Sequence, residues 1–218
     1  MGMTLYHGSD KIVEQPSFGL GNPHNDYGLG FYCTEQVELA REWACTEGKD
    51  GFVNEYGFDA EGLKVLRLND GKHNILNWLS ILLENRRFDL STPVAVQARE
   101  YLIRNYLPDY KNYDVIVGYR ADDSYFSFAR AFLSNGITLE QLARAMTLGK
   151  LGEQVVIMSE AAFARLGFVL STPVESSIYY ARRMFRDRNA RNDYIAMLAE
   201  PAKADAIYIS DLINGKSI

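Results

Sequence analysis

The sequence predicts an α+β fold, and the order of its strand-like and helix-like segments carries that prediction. Short apolar and aromatic runs of strand length are separated by inserted segments in which apolar residues recur at helical spacing. Most helical segments fall between residues 74 and 146, as an insertion or cap. No repeat or linker divides the chain, so we expect one domain over 1–218, with a helical insertion over about 73–110 and a C-terminal helix over about 174–199.

The N-terminal third alternates strand, loop, strand and helix. A short apolar strand over Met3–Tyr6 runs into His-Gly-Ser, and the proline- and glycine-rich segment 16–23 that follows is typical of a loop. Phe31–Cys33 is expected as a second strand. Thr34 is the expected N-cap of a helix whose apolar positions include Trp43.

Two apolar runs then flank a polar turn. Val53–Phe58 and Leu63–Leu68 surround Asp59–Gly62, a pattern that predicts a β-hairpin. A strongly apolar helix is expected over Asn74–Glu84. Pro93 is placed to open another helix, which continues to about Tyr106.

The second half is expected to contain three strands and four helices. The strands are Val115–Val117, Gln154–Met158 and Ala206–Ile209. The helices are Tyr125–Leu133, Leu139–Met146, Glu160–Leu166 and a long one from Pro173 to about Leu198.

Composition excludes several classes of protein. The 23 basic and 28 acidic residues give a net charge of −5, which argues against a generally basic nucleic-acid coat but permits a local basic patch. Cys33 and Cys45 fit neither a disulfide framework nor a zinc site, so we expect reduced thiols, no metal and a cytoplasmic protein. No signal peptide is recognisable, and the longest apolar run, Ile75–Leu83, is too short to span a membrane.

Three short motifs remain as candidates for chemistry: "LYHGS" near the N-terminus, "GLGFYCT" after the loop, and "GEQVVIMS" in the last third. In this order they resemble the motifs of the ADP-ribosyltransferase fold of the diphtheria-toxin and poly(ADP-ribose) polymerase type. Over about residues 3–168 the chain resembles a bacterial family of ADP-ribosyltransferase-like proteins, often encoded beside small partner proteins in toxin–antitoxin or phage-defence pairs. The resemblance implies a split β-sandwich with a helical insertion.

The resemblance also implies a site for NAD as substrate. His7 would hydrogen-bond the adenosine ribose, the backbone of Gly8 would hydrogen-bond the nicotinamide amide, and Ser9 would contact the nicotinamide ribose. Tyr32 would stack on nicotinamide, and Trp43 falls where the polymerases carry a second stacking tyrosine. Gly28 and Gly30 chiefly serve loop conformation, with ligand proximity second.

The third motif departs from the polymerase pattern. A catalytic glutamate there would support the cationic ribose of the transition state, but the matching position is Gln154, with Glu153 as its neighbour. Because neighbours in a strand face opposite sides, only one of the two is expected in the site. A glutamine there disfavours poly(ADP-ribose) synthesis, and Asp122 and Asp123 are candidates for an assisting acid, although a plain turn is the favoured reading of that pair.

The resemblance therefore implies mono-ADP-ribosyl transfer from NAD to a macromolecular acceptor, which is protein, RNA or DNA, with a small antitoxin-type protein as a possible partner. Two alternatives stay open: a catalytically silent module that binds NAD or a partner, and an NAD glycohydrolase. A later helix carries a run of arginines, interpreted as a solvated face or as a docking surface for an acidic partner or a nucleic-acid phosphate backbone: Arg182, Arg183, Arg186, Arg188 and Arg191.

Overall fold

The computed structural model describes residues 2–121, 123–148 and 152–218. In these ranges the strands are β1 (Met3–Ser9), β2 (Phe31–Cys33), β3 (Gly51–Phe58), β4 (Val65–Arg67), β5 (Val115–Tyr119), β6 (Glu153–Ile157) and β7 (Leu166–Val174). The helices are α1 (Val37–Ala44), α2 (Ile75–Asn85), α3 (Pro93–Tyr106), α4 (Asp123–Leu133), α5 (Leu139–Ala145), α6 (Glu160–Phe163), α7 (Ser176–Leu198) and α8 (Ile209–Ile213). The predicted α+β class is confirmed.

The strands form two sheets. The first has the order β1-β3-β7 and is antiparallel, while the second has the order β2-β6-β5-β4 with β4 and β5 parallel. One pair of hydrogen bonds joins the two sheets near the start of the chain. The Tyr6 N–H donates to the Thr34 carbonyl at 2.8 Å, and the Thr34 N–H donates to the Tyr6 carbonyl at 3.0 Å.

The two sheets enclose one apolar cluster, and helices cover the rest. Leu5 and Phe58 of the first sheet pack with side chains of the second sheet: Cys33, Val115, Val117, Val155 and Ile157. The other face of the second sheet, including Ile116 and Val156, is buried in a larger cluster that holds the apolar sides of α2–α5 and α8. Helix α1 packs on the outer face of β1 and β3. Burial on both faces explains why β5 and β6 read as continuous apolar runs.

The two helices expected in the predicted insertion are present, and a capping side chain fixes the start of each. The Asn74 side chain accepts from the Leu76 N–H at 2.9 Å, which fixes the start of α2. Thr92 accepts from the Ala95 N–H at 3.2 Å, and Pro93 occupies the first turn of α3.

The predicted hairpin is wrong. Both of its arms are strands, but β3 lies between β1 and β7 in the first sheet, while β4 pairs in parallel with β5 in the second. The polar segment Asp59–Gly62 therefore crosses from one sheet to the other. A turn signal between two apolar runs is local, and it does not determine which strands pair.

Three further expectations need correction. Strand β7 was not expected, and it contains Pro173, which had been predicted to open the long helix. That helix begins at Ser176 instead. Strand β7 tolerates a proline because it is an edge strand whose outer side pairs with no other described strand. The predicted strand Ala206–Ile209 is instead a loop over 206–208, and Ile209 begins α8. Thr34 is not the N-cap of α1, because its backbone bridges to β1 and its hydroxyl accepts from the Gln36 N–H at 3.2 Å.

Within the described ranges, no helix combines the length and the apolar character needed to cross a membrane.

Candidate functional site

A cavity of about 690 Å³ opens where β1, β2 and β6 come together, and we call it the cleft cavity. Its size falls within the range of about 300–1,000 Å³ typical of ligand pockets. It is lined by residues of these strands, of the loop after β1, of α1 and of the segment after β5, among them His7, Gly8, Gly30, Tyr32, Trp43 and Gln154. Six of the eight residues proposed from the sequence therefore share one cavity.

His7 is held in a single orientation at the end of β1. Its ring lies 4.3 Å from the ring of Phe31, centroid to centroid, and its Nδ1 lies 2.8 Å from the Tyr32 carbonyl oxygen. Because a carbonyl oxygen only accepts, Nδ1 carries the proton in this contact and Nε2 is left as an acceptor. Burial lowers the pKa of His7, although the bond to the Tyr32 carbonyl acts in the opposite direction. The imidazole is thus neutral at pH 7.

Close packing of α1 on β1 requires a glycine at position 8, and the N–H and C=O of Gly8 point to the edge of β1 away from β3. A Cβ at Gly8 would lie 2.0 Å from the Ala40 carbonyl oxygen, so only glycine lets α1 pack against β1 here. In a strand, backbone groups point to alternate edges, and those of Tyr6 point away from β3 to Thr34. The N–H and C=O of Gly8, two residues on, point to that same edge, beyond the point where β2 bridges β1.

Tyr32 is half-buried in the cavity wall, and its hydroxyl is fixed by two hydrogen bonds. The hydroxyl donates to the Gly28 carbonyl at 2.6 Å and accepts from the Tyr27 N–H at 3.1 Å. Burial raises the pKa of Tyr32, so its hydroxyl stays protonated and holds the loop that precedes β2. Gly30 serves packing, since a Cβ there would lie 2.6 Å from Cγ1 of Val156.

Trp43 lines the cavity from α1 and is stacked on a cation. The guanidinium carbon of Arg120 lies 4.2 Å from the centre of the Trp43 ring, a cation–π distance. Arg120 also lines the cavity, at the end of β5. This arrangement covers one face of the indole and brings a positive charge to the cavity wall.

Gln154 lies in the cavity wall beside a buried carboxylate. It is 3% exposed, and its Nε2 donates to Asp26 Oδ2 at 2.9 Å and to the Tyr119 carbonyl at 3.1 Å. Asp26 Oδ2 also accepts from the Ala121 N–H at 3.0 Å, while Asp26 Oδ1 accepts from Nε of Arg86 at 2.8 Å. Because both described bonds of the amide use Nε2, its orientation is fixed.

The other two proposed residues do not line the cavity. Glu153 points away from it, as strand alternation requires, and accepts a hydrogen bond from Asn69; burial raises its pKa. The Ser9 hydroxyl donates to the Lys11 carbonyl at 2.6 Å and accepts from Nδ2 of Asn54 at 3.1 Å. Asp122 and the side chain of Asp123 lie outside the described residues.

The structure adds charged residues that the sequence did not single out. Asp26, Arg86 and Arg120 all line the cavity, together with Lys11 and Glu14. Asp26 sits in the loop before the second motif, and the arginines follow α2 and β5. No local pattern marks them, since a single Asp or Arg next to an element end is ordinary in any sequence.

Comparisons with known proteins give one positive finding. No curated protein matches the chain, and no solved structure matches it either. The model of one protein family, described as protein of unknown function (DUF3990), matches residues 3–168, which includes β1, β2, β6 and every residue named above as lining the cleft cavity. The chain belongs to the DUF3990 family.

Proposed function

We propose that the protein is a mono-ADP-ribosyltransferase that transfers ADP-ribose from NAD to a macromolecular acceptor, on a split β-sandwich of the ADP-ribosyltransferase type. The observation that carries the proposal is the meeting of three distant sequence motifs in one cavity. His7 and Gly8, Tyr32, and Gln154 come from strands far apart in the chain, and all line the cleft cavity.

The arrangement of the sheets supports the fold part of the proposal. Two facing sheets of three and four strands enclose an apolar layer, and the described backbone bridge between them is the pair formed by Tyr6 in β1 and Thr34 just after β2. Past Tyr6, the His7 ring still joins β1 to β2 through its bond to the Tyr32 carbonyl and its contact with Phe31. No described backbone hydrogen bond links β1 to β2 past Tyr6, which leaves the backbone edge of β1 at Gly8 available to a ligand.

The groups around the split suit nicotinamide and its ribose. The N–H and C=O of Gly8 lie on one edge and match the acceptor and donor of a carboxamide. Tyr32 forms a wall on which a flat ring would stack. The unprotonated Nε2 of His7 would accept a hydrogen bond from a ribose hydroxyl of the adenosine half.

Cations in the same cavity suit the diphosphate. Lys11 and Arg120 line the cavity along with Arg86, whose charge is balanced by Asp26. Arginine is well matched to phosphate oxygens because its planar group offers several donors. The remaining acid in the wall, Glu14, lies on the loop after β1.

Gln154 and Asp26 would act at the reacting ribose. The amide of Gln154, fixed by two bonds from Nε2, would accept from the 2′-hydroxyl through Oε1, while the nearby charge of Asp26 would stabilise the cationic ribose of the transition state. The nicotinamide–ribose bond breaks with its electron pair going to the ring nitrogen, so nicotinamide leaves neutral. A lone pair of the acceptor forms the new bond to C1′, and the acceptor's proton is released to solvent.

One observation favours a second candidate, a module that binds NAD without cleaving it. Residue 154 carries no charge, and the nearest carboxylate, Asp26, is paired with Arg86 at 2.8 Å. Charge that is already compensated stabilises a transition state less than free charge does. An NAD glycohydrolase would use the same residues with water as acceptor.

The deciding experiment measures free nicotinamide released from NAD by the purified protein, with and without cell lysate, beside transfer of label from adenylate-labelled NAD. Transfer into macromolecules that depends on His7 and Gln154 supports the proposal. Nicotinamide release without macromolecular label would identify a glycohydrolase. If NAD bound but nicotinamide was not released, with or without lysate, the transferase proposal would be refuted and the NAD-binding module would be supported.

A further inference from the structure

A second concave surface adjoins the cleft cavity. Its volume is about 450 Å³, and we call it the arginine groove; it is lined by Asn22, His24, Arg86, Arg87, Phe88, Phe126 and Arg130. Arg86 lines both the groove and the cleft cavity. The groove therefore lies directly across the Arg86–Asp26 ion pair from Gln154.

The charge of the groove has one sign. Three arginines line it, and none of its described lining residues is acidic. Arg86 is balanced by Asp26, whereas Arg87 and Arg130 are both exposed. This patch is positive in a chain whose net charge is −5, so its charge is local.

His24 holds one of these arginines in place. Its Nδ1 lies 3.2 Å from the Asn85 carbonyl oxygen, which only accepts, so Nδ1 carries the proton. Its Nε2 is then the acceptor for the guanidinium of Arg87, at 3.3 Å. These two contacts orient Arg87 at the wall of the groove.

Aromatic rings form the rest of the wall. The centroids of Phe88 and Phe126 lie 5.3 Å apart, and the guanidinium carbon of Arg86 lies 4.9 Å from the centre of the Phe126 ring. Both rings are partly exposed, so each keeps some apolar surface open to the groove. Planar apolar surfaces interleaved with fixed cations are the combination that binds bases and phosphates together.

We propose that the arginine groove binds single-stranded nucleic acid, with phosphates on Arg87 and Arg130 and a base against Phe88. A single strand is favoured over a duplex because its base faces are open for stacking. It is favoured over an acidic peptide because an acidic side chain offers no planar group to stack on the partly exposed face of Phe88. That the bound strand is also the acceptor rests on the proposed function, whereas the binding itself does not.

The test is fluorescence anisotropy with labelled single strands of DNA and RNA of about 12 nucleotides, a length within the site sizes of single-strand binders. The variant Arg87→Glu/Arg130→Glu is compared with Arg104→Glu/Arg165→Glu, which reverses two exposed arginines elsewhere. We expect the first variant to bind about tenfold or more weakly and the second to bind within twofold of wild type, as charge-assisted contacts imply. Replacing two phosphate contacts should also make the slope of log K against log salt less negative by about 1.4.

Three results would overturn the inference: unchanged binding in the groove variant, equal loss in both variants, or tighter binding of an acidic peptide than of either strand. These measurements contain no NAD, so their failure is separate from failure of the proposed function. Strand binding without nicotinamide release would support the groove proposal and contradict the proposed transferase activity. Nicotinamide release without strand binding would contradict the groove proposal and leave the proposed activity standing.

Discussion

Two cavities of nearly equal size lie on either side of β5 and β6, and they differ in what lines them. The cleft cavity measures about 690 Å³, and a second one, the C-terminal cavity, measures about 650 Å³. The C-terminal cavity is lined by residues of the β4–α2 loop, of α5 and of the C-terminal segment, including Asn69, His73, Glu140, Lys203 and Ile218. Volume alone does not distinguish them as binding sites.

Strand alternation divides the polar groups between the two cavities. Gln154 faces the cleft cavity, while its neighbour Glu153 bonds to Asn69, which lines the C-terminal cavity. The Tyr119 carbonyl between them accepts from Gln154, from the Tyr27 hydroxyl at 2.7 Å and from the Trp78 indole at 3.0 Å. The cleft cavity thus contains a fixed, buried polar network, whereas the described ion pair of the C-terminal cavity, Lys203–Glu140, is exposed. A buried polar network costs free energy whenever one of its groups is left without a partner, and groups held in this way often belong to functional sites.

The largest expected effect is on stability. The Asp26 carboxylate, whose side chain is 5% exposed, accepts from Arg86, Ala121 and Gln154. An asparagine has one acceptor oxygen and would direct its amide hydrogens at other donors, so Asp26→Asn should lower the free energy of unfolding by about 3 kcal/mol. Lys203→Ala should change it by less than about 1 kcal/mol. Chemical denaturation measures both, and equal effects would contradict the comparison.

The next largest effect is expected on NAD turnover, where replacing the histidine of the cleft cavity should matter and replacing that of the C-terminal cavity should not. We expect His7→Ala to reduce nicotinamide release about 100-fold, because it removes the acceptor that positions the adenosine ribose. His73→Ala, in the C-terminal cavity, should leave release within twofold of wild type. If His73→Ala abolished nicotinamide release while His7→Ala remained active, the reaction would take place in the C-terminal cavity and not in the cleft cavity.

The adjacent residues Glu153 and Gln154 sharpen the comparison further. Gln154→Ala should reduce nicotinamide release about tenfold, since one hydrogen bond to the ribose is lost while the charge of Asp26 remains. Glu153→Ala should have little effect because its side chain bonds to Asn69 on the other side of β6. Steady-state kinetics of the two variants, checked for equal thermal stability, gives the result. The reverse order would mean that β6 presents Glu153 to the substrate.

The smallest effect concerns pH. The pKa of His7 is lowered by burial below its ordinary value of 6.5, so the unfolded chain takes up a proton that the folded chain does not as the pH falls through about 6.5. The stability contributed by neutral His7 is therefore present above that pH and lost below it. When the pH is lowered from about 7.5 to about 5.5, the free energy of unfolding of wild type should fall by up to about 1.4 kcal/mol more than that of His7→Gln. Identical pH profiles for the two proteins would show that His7 titrates normally.

Local signals in the sequence were sufficient for most single elements. The bounds of β2 and α3 agree with expectation, because a short apolar run before a polar break and a Thr-Pro helix start are signals that neighbouring residues supply. Strand pairing was not accessible in this way. The two arms of the expected hairpin lie in different sheets, and β7 was overlooked because its alternation is weak and it leads directly into α7.

The same division holds for the site. The sequence by itself determined that His7, Gly8, Tyr32 and Gln154 lie in three short motifs in or beside strands, and that only one of residues 153 and 154 faces the cavity, because a strand has a period of two. Only the tertiary structure decided which one it is, and it brought Asp26 to Gln154 across 128 residues of chain and Arg86 to Asp26 across 60. The physical reason is that short strands are signalled by neighbouring residues, whereas partners for a buried carboxylate depend on sheet pairing and loop closure over long distances.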